Sequence, residues 1–178
     1  MKPRRPRYAL IERQVEQLLA VAGVIAPPVP IEDIVRSRSI DLRFADLGQG
    51  VSGVLVRDGS AMVIGVNRKH PKARQRFTAA HELAHALLHE GDPVHYDPGF
   101  RVNLRSELSS QGIDVEEVEA NHFAASLLMP SALLMADPDV FMIDAEDNEA
   151  LAPLAQRFGV STLAMGLRLS KLGSRMRP

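Results

Sequence analysis

The feature that most constrains this chain is the pentapeptide His-Glu-Leu-Ala-His at residues 81–85. Apolar residues recur around it at helical spacing and predict a helix with one buried side: Phe77, Ala80, Leu83, Ala84, Leu87 and Leu88. Positions i and i+4 of a helix share a face, so both imidazoles can reach a single ion. A catalytic zinc takes three protein ligands and a water, from which the neighbouring carboxylate can take a proton. We therefore predict His81 and His85 as metal ligands and Glu82 as the general base.

A third histidine continues the i, i+4 series, since His89 lies eight residues after His81. That separation is about 12 Å of axial rise, and one ion with bonds of about 2 Å cannot reach both ends. We predict that His89 caps the helix, supports the ligands from outside or is solvated. A surface helix that carries three histidines by chance is the alternative, and a buried helix rarely presents such groups without partners.

The third ligand is expected from a second helix, predicted at residues 115–129. Its apolar residues recur at helical spacing and predict a buried face that includes Val115, Val118, Phe123 and Leu127. Glu119 and His122 lie three residues apart at the boundary of this face; Glu119 is the preferred ligand and His122 the second choice. Glu116 and Glu117 are interpreted as solvated residues that favour the helix dipole.

Two segments carry a resemblance to a known family. Residues 76–89 read Arg-Phe-Thr-Ala-Ala-His-Glu-Leu-Ala-His-Ala-Leu-Leu-His, and residues 119–130 read Glu-Ala-Asn-His-Phe-Ala-Ala-Ser-Leu-Leu-Met-Pro. Together they resemble the ImmA/IrrE family of zinc metallopeptidases, and residues 66–71 are similar to that family's lead-in to the active helix.

This resemblance implies a zincin-like fold and a metal held by two histidines and a glutamate. Residue by residue, the ligands map to His81, His85 and Glu119, and the general base maps to Glu82. The implied activity is proteolysis of a helix-turn-helix repressor or antitoxin in a regulatory or stress response. One departure is the long polar loop at residues 90–114, whose geometry cannot be carried over.

The metal and the oxyanion donor are less constrained. The chain has no cysteine, so any zinc must be held by histidine and carboxylate, and another divalent ion such as Mn²⁺ is an alternative. A side chain that stabilises the tetrahedral oxyanion is also expected. His95, Tyr96 and His122 are the candidates, and the sequence does not choose among them.

The chain before the metal helix predicts an α+β fold. Helical spacing, alternation and β-branched runs predict two helices and three strands at residues 8–21, 31–38, 40–44, 51–56 and 61–66. Asp58-Gly59 is a hairpin-turn signal between the last two strands. We therefore predict a small antiparallel sheet, one strand of which borders the cleft and holds an extended substrate by strand addition.

We divide the chain into a zincin-like metallopeptidase domain at residues 1–136 and a C-terminal helical segment at 137–178. The latter looks like a helix-turn-helix, with Gly159 permitting the tight turn. DNA contact through Arg168 and Lys171 is one interpretation. A helical hairpin that packs on the catalytic domain is favoured, because its second helix offers few polar residues for base edges.

Charge and hydropathy predict a cytoplasmic protein without membrane contact. The net charge of −1 argues against wholesale nucleic-acid binding. Basic residues near the N-terminus suggest a signal peptide, but charged residues interrupt the required apolar region: Glu12, Arg13 and Glu16. No apolar stretch approaches the length of a membrane span.

Two other functions share the observed motifs. A non-proteolytic antirepressor would sequester a regulator around a structural zinc, although such a closed site has no need of Glu82. A di-iron carboxylate protein uses paired Glu-x-x-His motifs, which Glu82–His85 and Glu119–His122 both match. That bundle needs two further glutamate-bearing helices, whereas residues 40–66 predict strands.

Overall fold

The computed structural model describes residues 5–90, 93–97 and 115–176. The basic residues Lys2 and Arg4 and most of the loop at 90–114 lie outside this range. The helices are α1 (Tyr8–Val21), α2 (Ile31–Ser37), α3 (Lys72–Leu88), α4 (Val115–Leu128), α5 (Ser131–Met135), α6 (Asn148–Phe158) and α7 (Thr162–Met176). The strands are β1 (Ile40–Ala45), β2 (Gly53–Asp58), β3 (Ala61–Asn67) and β4 (Val94–Asp97), and a 3-10 turn spans Pro138–Phe141.

The four strands form one mixed sheet in the order β1-β3-β2-β4. The hairpin prediction is confirmed, because β2 and β3 are antiparallel with Asp58 opposite Ala61 and Gly59 in the left-handed region at φ 57°. The prediction of a wholly antiparallel sheet is wrong. Strand β1 does not pair with β2, the next strand in the chain. The hairpin places β3 between β1 and β2, and β3 runs parallel to β1.

Strand β4 was not predicted from the sequence. It spans four residues, Val94–Asp97, and pairs antiparallel with β2 so that His95 lies opposite Leu55 and Asp97 opposite Gly53. A strand this short has too few residues to show a reliable alternation, and its pairing with β2 fixes it in place.

Helix α3 lies between the sheet and α4, and the apolar side predicted for it is buried. Phe77, Ala80, Leu83 and Ala84 belong to one apolar core with Leu55 and Ile64 of the sheet and Phe123 and Leu127 of α4. Alanines at the interface let two helix backbones approach closely, and this brings α4 against the motif helix.

The C-terminal helices pack on the same core. Leu154, Phe158 and Met165 are buried, and the Arg76 Nε of α3 donates to the Gly159 carbonyl at 3.1 Å. Arg168, which the less favoured DNA-binding interpretation required at the surface, is only 4% exposed, and its Nε donates to the Met129 carbonyl. This burial removes Arg168 from any DNA-binding surface. In the part of the chain that is described, no helix has the length and apolarity of a membrane span.

Candidate metal centre

Helix α3 presents two buried imidazoles to one point. His81 and His85 are 2% and 3% exposed, and their Nε2 atoms lie 3.1 Å apart. The spacing of four residues produces this approach, because one helical turn separates the two Cα atoms on the same face. Two ring nitrogens this close need a shared proton or a shared cation between them.

The third member of the cluster is Glu117, from the first turn of α4. Its Oε2 lies 3.3 Å from the Nε2 of His81, and its Oε1 lies 3.1 Å from the Nε2 of His85. Donors on a tetrahedral zinc with bonds of 2.0–2.1 Å are about 3.3–3.4 Å apart. The three donor groups therefore have close to the mutual spacing that one tetrahedral ion requires.

Glu119, the predicted third ligand, does not join this cluster. Its carboxylate accepts hydrogen bonds from the backbone N–H of Arg7 at 2.8 Å and from the Arg7 guanidinium, and it lies 3.0 Å from the Nε2 of His89. Residues two apart on a helix point to opposite sides, so Glu117 and Glu119 cannot both face His81. In the structure Glu117, which the sequence analysis interpreted as solvated, lies beside the two imidazoles, and Glu119 does not.

Asn121 marks the same face of α4 as Glu117. Asn121 follows it by four residues, so the two side chains share one face of α4, and the Asn121 Oδ1 lies 3.1 Å from the Nδ1 of His81. The partner that occupies Glu119, Arg7, lies 112 positions away and could not be paired with it from the sequence.

The three candidates for oxyanion stabilisation lie in different surroundings in the structure. His95 lies in the cluster: its ring centroid is 4.1 Å from that of His85, and its Nε2 is 3.6 Å from the Oε1 of Glu117. Tyr96 is 63% exposed. His122 lies 2.8 Å from the carboxylate of Glu12, on another side of α4.

The positions of Glu119 and His122 bear on the di-iron interpretation. Neither side chain faces the pair formed by His81 and His85, because Glu119 binds Arg7 and His122 contacts Glu12. Among the described residues, the second Glu-x-x-His motif therefore contributes nothing to the cluster.

Glu82, the predicted base, is fully buried beside the imidazoles. Neither of its carboxylate oxygens has a hydrogen-bond partner among the described residues. Burial raises the pKa of Glu82 to about 8, with Asp97 and Glu117 adding to the increase. Ligand atoms of His81, Glu82 and Asp97 lie within 4.8 Å of one another. A buried carboxyl group that forms no hydrogen bond within the described chain is available to interact with a bound cation or substrate.

The electrostatics of the cluster suit a metal. Burial lowers the pKa of His85 to about 4. Burial would raise the pKa of Glu117, but hydrogen bonds to His81 and His85 hold it well below its usual range. The pKa of His81 is raised, because the nearby carboxylates outweigh the effect of burial. An ionised Glu117 and a neutral His85 are the states that bind divalent ions, and a cation would displace the proton that His81 holds.

The residues present therefore fit a divalent cation. Two imidazoles and one carboxylate make a set of three protein donors, with His95 close enough to share the site. The partnerless carboxylate of Glu82 adjoins it. A set of three nitrogen and oxygen donors from protein side chains is typical of a catalytic rather than a structural zinc site.

Gly53 on β2 determines how closely the sheet approaches this centre. A Cβ atom at Gly53 would lie 2.5 Å from the Cγ2 of Thr78 and 2.7 Å from the Oε1 of Glu82. Any larger residue would therefore push against the carboxyl group that the sequence predicts as the base. The absence of a side chain at this position lets β2 pack directly on α3.

The fold and the cluster define a mixed α+β protein with a candidate two-histidine, one-carboxylate metal centre on two packed helices. Residues 35–170 match the family model Peptidase_M78, IrrE N-terminal-like domain, and the chain belongs to this peptidase family. The resemblance found in the two sequence segments is thereby confirmed.

Two curated relatives and one solved structure are similar to the chain. It is 36% identical over 127 residues to the radiation response metalloprotease IrrE of Deinococcus deserti, covering 68% of this chain but only 40% of that protein. It is 28% identical over 130 residues to the uncharacterized immunity region protein 2 of Bacillus phage phi105, covering 73% and 74% of the two chains. A Mycobacterium tuberculosis transcriptional regulator shares the fold, with a TM-score of 0.61 at 19% identity over 96% of this chain and 48% of that one.

Proposed function

We propose that this protein is a zinc-dependent endopeptidase that cleaves a helix-turn-helix repressor or antitoxin in a regulatory or stress response. The observation that carries the proposal is the near-tetrahedral spacing of His81, His85 and Glu117 beside the buried carboxyl of Glu82. Membership of a peptidase family supports the reaction class. Zinc is preferred because it favours histidine and carboxylate donors in tetrahedral sites, with Mn²⁺ as the alternative.

The chain's own residues divide the chemical work. When bound, the cation supplies Lewis-acid polarisation of the scissile carbonyl and acidifies a water. Glu82 accepts the proton of the attacking water and passes it to the leaving amine. We assign to His95 the hydrogen bond to the oxyanion, and the support for this is that, of the three candidates, His95 is the one whose ring contacts the cluster. Its half-buried position on β4 leaves it open to substrate.

Strand β4 is the proposed substrate-binding edge of a zincin-like fold. Among the described strands it lies at the end of the sheet and pairs only with β2. His95 and Asp97 project from β4 to the side of the metal centre, while Tyr96 projects away from it. An extended peptide that adds to β4 would therefore pass the cluster, with backbone hydrogen bonds supplying much of its affinity.

The names of the relatives bear on the proposed substrate class. One is a radiation response metalloprotease, one is a phage immunity region protein, and the structural neighbour is a transcriptional regulator. None of these names states a target, and a regulator of transcription as the substrate is what the resemblance to the ImmA/IrrE family implies. The expected compartment is the cytoplasm, where such a regulator works.

Incubation of the full chain with purified helix-turn-helix repressors and antitoxins tests this function. We expect a discrete cleavage product that requires added Zn²⁺ or Mn²⁺ and disappears with a chelator, followed by gel electrophoresis and mass spectrometry. A stable complex without a product would instead support the antirepressor function. Cleavage that persists in chelator would contradict a metal-dependent reaction.

Substitution of Gly53 tests whether the sheet sets the position of Glu82. Gly53→Ala is expected to lower kcat by about 100-fold, the cost of a misplacement of about 1 Å in a catalytic group. Metal affinity should remain near that of the wild type, because the atoms nearest to a Cβ at Gly53 belong to Thr78 and Glu82 and to none of the three ligands. Steady-state cleavage and metal titration of the same preparation measure the two effects.

The matched control is Gly65→Ala on the adjacent strand β3. A Cβ at Gly65 would lie 2.7 Å from the Cγ1 of Val54, a side chain outside the metal centre. Both substitutions crowd the sheet and are expected to cost about 1–3 kcal/mol of stability. Equal loss of kcat in both variants would show that crowding, rather than displacement of Glu82, explains the effect.

A further inference from the structure

A row of hydrogen-bonded side chains extends from the metal centre to the first helix. The Nδ1 of His85 lies 3.1 Å from the Nδ1 of His89, and the Nε2 of His89 lies 3.0 Å from the Oε2 of Glu119. Arg7 completes the row, because its backbone N–H and its guanidinium both donate to Glu119. We call these three residues, His89, Glu119 and Arg7, the imidazole support.

One arrangement of hydrogens in the imidazole support leaves the Nε2 of His85 free to bind a cation. A carboxylate that accepts from Arg7 is an acceptor, so the Nε2 of His89 must carry a hydrogen and donate to it. In this arrangement the Nδ1 of His89 accepts a hydrogen bond from the Nδ1 of His85. This leaves the lone pair of His85 on Nε2, the atom that faces His81 and Glu117.

The tautomer of His81, the other histidine of the motif, is set by a different group. The Oδ1 of Asn121 lies 3.1 Å from the Nδ1 of His81 and accepts its hydrogen, so a cation that displaces the other proton of His81 binds the lone pair on Nε2. Both lone pairs therefore point at the same place. The two ligands are held by separate means, one by an amide and the other by the imidazole support.

We propose that His89 is a positioning residue that holds His85 in its metal-binding tautomer, with Glu119 and Arg7 holding His89 in turn. This inference rests on the proposed metal site at His81, His85 and Glu117. It also gives a role to the conspicuous Glu119, which acts on the metal through two imidazoles instead of binding it. Partners of metal-bound histidines typically change metal affinity by about 10–100-fold when they are removed.

The burial of the imidazole support favours this role over a surface ion pair. The side chains of His89 and Glu119 are each 1% exposed, whereas the Arg7 side chain is 34% exposed and covers them from outside. The Nη2 of Arg7 also donates to the Leu88 carbonyl at the end of α3. An imidazole in so enclosed a position keeps a single orientation, which is what a tautomer-fixing group needs.

The test compares Zn²⁺ affinity and the Co²⁺ absorption spectrum of the full chain with those of three variants. His89→Phe removes the acceptor and is expected to weaken Zn²⁺ binding by about 10–100-fold and to alter the Co²⁺ d–d bands. His89→Asn should recover part of the affinity, because its Oδ1 occupies the position of the imidazole Nδ1 and can accept from His85. Glu119→Gln removes the charge but keeps an acceptor, and its Zn²⁺ affinity should lie between that of His89→Phe and that of the wild type.

The matched control is His122→Phe. His122 is also a buried imidazole beside a glutamate, Glu12, but it contacts none of the ligands. It should lose stability in thermal unfolding while keeping the wild-type affinity and spectrum. Wild-type affinity in His89→Phe, or an equal loss in His122→Phe, would overturn the imidazole support. If the wild-type chain itself binds neither ion, the metal centre fails and this inference fails with it.

Discussion

Replacement of Glu117 by alanine is expected to abolish tight binding of Zn²⁺. Glu117 is the only carboxylate within 3.3 Å of both motif imidazoles among the described residues, so its removal leaves the two imidazoles without the carboxylate donor that completes the set of three. The loss should exceed the ~10–100-fold range of an outer hydrogen-bonding partner. Competition with a chromophoric chelator measures the affinity, and atomic absorption of dialysed protein gives the stoichiometry.

Two neighbouring glutamates serve as controls for Glu117. Glu116→Ala removes a carboxylate from the same turn of α4 but outside the cluster, and should bind metal as the wild type does. Glu119→Ala should weaken binding less than Glu117→Ala does, because Glu119 reaches the site only through His89. Complete loss of metal in Glu119→Ala together with normal binding in Glu117→Ala would restore the ligand set that the sequence suggested.

Replacement of Glu82 by glutamine is expected to lower kcat by about 10²–10⁴-fold while metal remains bound. Glutamine has nearly the shape of glutamate, so it fits the same buried site, but its amide cannot accept a proton at neutral pH. Glu82 is fully buried and makes no hydrogen bond to a described residue, so the substitution breaks no contact that positions the helix. Cleavage assays and metal titration on one preparation separate catalysis from binding.

Asp97 provides the comparison for Glu82. It is a second buried carboxyl within the same group of ligand atoms, and burial raises its pKa as well. If Glu82→Gln retains full activity while Asp97→Asn loses it, the base has been assigned to the wrong carboxyl. Loss of metal from Glu82→Gln would instead make Glu82 a ligand.

The part of the site that could be predicted is the part that lies within one helix. His81, Glu82 and His85 have fixed relative positions once α3 forms, because helical geometry alone sets them. Both helices were also predictable, since their apolar residues repeat over several turns. The hairpin of β2 and β3 followed from a local turn signal for the same reason.

The missed features all depend on contacts between distant residues. The choice between Glu117 and Glu119 depends on how α4 is rotated against α3, and the long-range partner Arg7 occupies one of the two carboxylates. His95 approaches the cluster because β4 pairs with β2, and the parallel pairing of β1 with β3 depends on the whole sheet. Periodicity within a segment carries no information about these rotations and pairings.

Arg76 connects the motif helix α3 by hydrogen bonds to two segments that lie far before it and far after it in the chain. Its Nη2 donates to the Val29 carbonyl before α2, and its Nε donates to the Gly159 carbonyl in the turn between α6 and α7. Truncation after residue 136 would remove one of the two carbonyl acceptors of Arg76, and it would expose the apolar surface that Phe158 covers. Grafting this centre onto another scaffold would therefore require transplanting the late helical pair along with it.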